Sequence, residues 1–110
     1  MLRKPAAIKT TVYTAADLEI HTDTRQVLRD RKEIHLSAKE FSLLRYMVQN
    51  AGIVLSREKL EQHIWNYDFS GGSNVIDVYI RYLRKKIDSD FEQKLIHTVR
   101  SEGYVLRVTP

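Results

Sequence analysis

The chain has no cysteine, which excludes disulfides and thiolate metal sites. No apolar run approaches the roughly 20 residues that a membrane-spanning helix needs. The first ten residues carry Arg3, Lys4 and Lys9 but no apolar segment, so they do not read as a signal peptide, and a cytoplasmic location is the expectation. No internal repeat and no low-complexity stretch occurs. Catalytic signals are absent too. His21, His35, His63 and His97 lack ligand spacing, and neither a phosphate loop nor a nucleophile motif is present. The chain is not expected to be an enzyme, to hold a metal or to need a cofactor.

What remains is 110 residues of ordinary globular composition, enough for one domain with a modest core. The formal net charge is +4, but three of the cations lie in residues 1–10, a stretch that reads as a linker or a remnant of expression. Residues 73–110 hold seven basic and five acidic side chains, a mild local excess. Total charge is therefore weak support for a nucleic-acid partner, and the placement of individual cations carries more information.

From Thr11 to Leu36 short alternating bursts are separated by polar breaks, the pattern of an antiparallel meander. Ser37-Ala38-Lys39-Glu40 is a capping box opening a helix to about Asn50, with Phe41, Leu44, Met47, Val48 and Ala51 at core spacing and Gly52 as the stop. Ile53-Val54-Leu55 is an apolar link. Ser56 caps a second helix from Arg57 to about Trp65, with Leu60 and Ile64 inward. A loop runs from Asn66 to Gly72, and a third helix from about Asn74 to Ile87. Leu95 to Arg100 and Tyr104 to Val108 form two strands around Ser101-Glu102-Gly103, where Gly103 can take positive φ. The fold class is α+β: a winged helix-turn-helix with an N-terminal antiparallel β-meander, three helices and a C-terminal β-hairpin wing, spanning 11–110.

The third helix is the most informative segment. Ile76, Ile80, Leu83 and Ile87 make one apolar stripe, while Asn74, Val78, Arg81, Tyr82 and Lys85 occupy the other side. A merely solvated face has little reason to expose Val78 and Tyr82. A face that enters a DNA major groove does, because Arg and Asn read base edges and apolar groups touch thymine methyls. Arg81 leads for base readout, with Asp77 one turn earlier placed to hold its guanidinium; the plainer reading is a surface ion pair. Asn74 suits either a base contact or a helix cap, and Lys85 suits phosphate. Arg84 fits a phosphate contact or an internal ion pair. On the wing, Thr98 and Arg100 share a strand face, and Arg100 suits a narrow minor groove. Tyr104 is expected to pack the wing base onto the helices, with its hydroxyl available to phosphate. The indole of Trp65 and the helix start at Arg57 offer further backbone contacts.

These residues resemble a known family. Ser37-Ala38-Lys39-Glu40-Phe41-Ser42-Leu43-Leu44 is similar to the first-helix signature of OmpR/PhoB-type DNA-binding domains. Leu55 to Leu60 with Ile64-Trp65 resembles the second helix, Asn74 to Ile87 the recognition helix, and Thr98-Val99-Arg100-Ser101-Glu102-Gly103-Tyr104 the wing signature. The resemblance implies the effector domain of a two-component response regulator. It also implies a receiver domain outside this chain, double-stranded promoter DNA as partner, dimers on tandem half-sites, and RNA polymerase contact through Asn66, Tyr67, Asp68 and Phe69. For Phe69 a lid over the core is the preferred reading. Departures from the pattern include Tyr82 where Arg is frequent, Tyr79 where His is frequent, and Ser101 where Gly is common. Tyr82 cannot make a bidentate contact, but it can donate one hydrogen bond or pack on a thymine methyl. A winged helix that binds protein is the rival reading.

Overall fold

A tight turn shows how the N-terminal sheet is built without glycine. The computed structural model describes residues 12–65 and 75–108. Strands β1 (Val12–Ala15), β2 (Leu18–His21), β3 (Gln26–Arg29) and β4 (Lys32–Ile34) form an antiparallel sheet in the order β1-β2-β3-β4. Asp30 and Arg31 both take positive φ (54° and 66°), as a two-residue hairpin turn matching strand twist requires. Ile20 pairs with Val27 and Leu18 with Arg29, so these four side chains share one face, and all four are buried.

Helix α1 (Ala38–Gln49) opens on the expected capping box: Ser37 Oγ accepts from the Glu40 amide at 3.2 Å, and Glu40 Oε1 accepts from the Ser37 amide at 2.9 Å. Phe41, Leu44, Met47 and Val48 are buried as expected, but Ala51 is exposed and Leu43 is fully buried. The difference follows from packing: α1 lies against β1, the other two helices and the wing, so its apolar face is wider than one stripe. Helices α2 (Arg57–Trp65) and α3 (Val75–Ile87) complete the helical layer, with Leu60 and Ile64 of α2 and Ile76, Ile80, Leu83 and Ile87 of α3 buried.

The wing pairs β5 (Ile96–Val99) with β6 (Gly103–Leu106). Leu55 is more than a link. Its amide donates to Tyr104 O at 2.8 Å and its carbonyl accepts from Tyr104 N at 3.0 Å, so the segment between α1 and α2 flanks β6. In the wing turn the Glu102 amide donates to Val99 O at 2.9 Å and Ser101 sits at φ 66°. A left-handed third residue is the geometry for which glycine is favoured. Ser101→Gly is therefore expected to stabilise the chain by about 0.5–1 kcal/mol, raising Tm by about 2–6 °C in a calorimetric scan; a lower Tm would show that the serine side chain stabilises the turn.

One charged side chain joins sheet, helix and wing. Arg29 is only 1% exposed. Its guanidinium donates to Asp17, to the Ile87 carbonyl, to Asp88 at 3.1 Å and to the Gln93 carbonyl. It also lies 4.7 Å from the Phe91 ring centroid. Asp88 in turn accepts from the Leu95 and Ile96 amides, each at 3.1 Å. The sheet is thereby fastened to the C-terminus of α3 and to the first residues of the wing.

Candidate nucleic-acid interface

The buried stripe of α3 leaves its other side to solvent. Arg81, Tyr82 and Lys85 are exposed and Val78 is half-buried, with 46% of Tyr82 accessible. The Tyr79 ring, half-buried against the core, meets Tyr82 edge-on at 6.0 Å and 85°. Lys86 is drawn aside: its ammonium donates to Glu40 Oε1 at 2.7 Å, linking α3 to the start of α1. Burial raises the Glu40 pKa, but hydrogen bonds from Lys86 and Ser37 and the Lys86 charge more than offset this, leaving it lowered.

Asp77 does not clasp Arg81 as the i,i+4 spacing suggests. Its Oδ1 accepts from Arg57 Nε at 2.9 Å and from the Tyr104 hydroxyl, and Arg81 adds only its charge. Burial pushes the Asp77 carboxyl up. The Arg57 and Tyr104 hydrogen bonds and the charges of Arg57 and Arg81 outweigh it, so its pKa is lowered. Burial and the hydrogen bond to Asp77 both raise the Tyr104 phenol. Asp77 takes these partners because α2 and the wing base both press on the first turns of α3.

Arg84 has partners that neither sequence alternative named. It donates to the Ile96 carbonyl at 3.3 Å and to Thr98 Oγ1 at 2.6 Å, and its guanidinium lies 5.6 Å from the Tyr104 ring centroid. Arg57 lies 5.9 Å from the same centroid. The Tyr104 hydroxyl points at Asp77, and the residue is only 5% exposed. Thr98 and Arg100 are both exposed on the wing.

The structure thus brings Arg57, Asp77, Arg84, Thr98 and Tyr104 into one contact group beside an open face of Val78, Arg81, Tyr82 and Lys85. Asn74 and the loop residues Asn66, Tyr67, Asp68 and Phe69 lie outside the described residues, as does the Trp65 side chain. Asp77 and Arg29 are the residues that sequence reasoning misassigned or passed over, since their partners lie far along the chain. Among the described residues no group of three or more His, Asp or Glu side chains could hold a metal ion, and no helix is long and apolar enough to cross a membrane.

Residues 31–106 match the family described as "Transcriptional regulatory protein, C terminal". The chain belongs to this family. It is 47% identical over 108 residues to the transcriptional regulatory protein PcoR of Escherichia coli, covering 98% of this chain and 48% of PcoR. It is 50% identical over 91 residues to TrcR of Mycobacterium tuberculosis, covering 83% of this chain and 35% of that protein. The chain therefore spans about half or less of the length of these curated relatives. Among solved structures it is similar to DrrB, an OmpR/PhoB homologue of Thermotoga maritima, with a TM-score of 0.78, 34% identity and coverage of 87% and 43%. It is also similar to the Klebsiella pneumoniae RstA DNA-binding domain, solved in complex with the RstA box, with a TM-score of 0.79, 29% identity and coverage of 90% and 99%. The four-stranded sheet, three helices and two-stranded hairpin are those of an OmpR/PhoB-type winged-helix domain.

Proposed function

We propose that this chain binds double-stranded promoter DNA sequence-specifically, as the output domain of a cytoplasmic two-component response regulator. Helix α3 enters the major groove, and the wing approaches the minor groove or backbone. The observation that carries the reading is the uncovered side of α3, where Arg81 and Lys85 stand exposed beside the apolar groups of Val78 and Tyr82. Arg81 reads a base edge, Val78 and Tyr82 touch thymine methyls, and Lys85 meets phosphate. Arg100 extends the cationic surface onto the wing. The family membership and the complex formed by the RstA domain support the same reading. The remaining partners in this proposal are a receiver domain outside the chain, a second copy on tandem half-sites, and RNA polymerase through residues 66–69. The domain acts by binding and not by catalysis.

Selection of bound sites from a random DNA pool, followed by anisotropy titrations, tests the proposal. Arg81→Ala is expected to cost about 1–3 kcal/mol on the selected site and to relax preference at one position. Lys85→Ala should weaken every sequence alike and reduce the log-log salt slope by roughly 0.9. Equal loss on selected and random DNA for Arg81→Ala would remove its reading role. Binding insensitive to salt would favour a protein partner instead.

A further inference from the structure

Asp77, Arg81 and Arg84 stand at i, i+4 and i+7, one stripe along α3. The two ends of that stripe grip the wing. Asp77 accepts from the Tyr104 hydroxyl, and Arg84 donates to Ile96 O and Thr98 Oγ1 while its guanidinium lies over the Tyr104 ring. Arg57, held on Asp77, lies over the same ring. The middle residue, Arg81, stays exposed. A two-stranded hairpin is marginal by itself, so its direction depends on what holds it. At its base the wing is held by Leu55 and by burial of Ile96 and Leu106. Asp88, just past α3, accepts from the Leu95 and Ile96 amides there, and Asp77 and Arg84 of α3 add side-chain contacts to Tyr104, Ile96 and Thr98.

We infer that Arg84, with the Asp77–Tyr104 hydrogen bond, is a positioning element that sets the angle of the wing against α3, so that Arg81 and Arg100 engage two grooves in fixed register. This rests on the DNA-binding reading above. Arg84 then acts through Thr98 and Tyr104, not as a phosphate contact. The planar guanidinium suits this work: one nitrogen reaches a backbone carbonyl, another a hydroxyl two residues on, and the flat cation lies over an aromatic ring. A lysine keeps the charge but loses that fork.

Base analogues that change one groove at a time test the inference on the whole chain. Diaminopurine in place of adenine adds an amino group in the minor groove, and uracil in place of thymine removes a methyl from the major groove. Wild-type protein should lose affinity with each, by roughly five- to tenfold at a sensitive position, the scale of one groove contact. Arg84→Lys should keep the uracil penalty and lose most of the diaminopurine penalty. Thr98→Val, an exposed and nearly isosteric change, should do the same, whereas Thr98→Ser should behave as wild type. A uniformly weaker Arg84→Lys with both penalties intact would make Arg84 a phosphate contact and overturn the inference. A diaminopurine penalty lost in Thr98→Val but retained in Arg84→Lys would overturn it as well, since Thr98 would then be acting on DNA itself. Should Arg84→Lys fail to fold, the Thr98 pair decides: no difference between Val and Ser refutes the positioning role. Wild-type protein showing DNA binding with no diaminopurine penalty anywhere would remove the minor-groove part of the reading, and the inference with it. Absence of DNA binding altogether would sink the functional reading itself.

Discussion

Replacing Arg29 with Met should destabilise the chain by about 3–5 kcal/mol, the scale of removing one member of a buried ion pair. The substitution keeps side-chain bulk but leaves the Asp88 carboxylate buried at 3% exposure without its cation, and leaves the Ile87 and Gln93 carbonyls without their donor. Asp88 keeps its bonds from the Leu95 and Ile96 amides, which limits the damage. A domain of this size has only about 5–15 kcal/mol in total, so the effect is a large fraction of it. Urea unfolding followed by circular dichroism measures it. The double variant Arg29→Met, Asp88→Asn should cost less than the two single losses added together, because the residues share one network. A loss under about 1 kcal/mol for Arg29→Met would show that the sheet does not depend on this fastening.

Gly103→Ala should be at least as severe, about 3 kcal/mol or more, with loss of the wing's attachment. Gly103 has φ +145°, a region that side-chain-bearing residues rarely adopt. A Cβ there would lie 2.0 Å from the Leu55 carbonyl oxygen and 2.9 Å from Ser56 Cα, both backbone atoms that cannot rotate away. The same Leu55 carbonyl accepts from Tyr104 N, so relief of the clash breaks the bridge that seats the wing. Amide exchange at Leu55 and Tyr104 should rise sharply in the variant, and DNA affinity should fall even where the helices remain folded. A melting temperature within about 2 °C of wild type would contradict the close approach.

Much of this was legible before any coordinates. The capping box at Ser37 and Glu40, the stripe Ile76-Ile80-Leu83-Ile87 and the hairpin around Gly103 are local signals, and each appears where its spacing places it. The open side of α3 was legible for the same reason: a stripe that is core on one side leaves the other side outward. The miss at Asp77 is instructive. Four residues separate it from Arg81, and that spacing suggested a pair, yet its carboxylate is taken by Tyr104 and Arg57, 27 and 20 positions away. The Tyr104 hydroxyl reaches Asp77 from the buried wing base, and Arg57 joins it from α2 in a pair as solvent-exposed as one with Arg81 would be, so helical spacing alone does not choose the partner.

By itself the sequence determined which residues are helical, which faces are apolar and which side of α3 is available, because periodicity and capping act within a few residues of the chain. Only the tertiary structure decided which charges meet: Arg29 with Asp88 across 59 positions, Lys86 with Glu40 across 46, and Arg84 with the wing. A side chain's polar partner depends on how separate elements are brought together, and hydrophobic burial drives that assembly without choosing among charges. The outward-facing cations follow from local pattern, whereas the contacts that hold the wing beside them arise only once the core has closed.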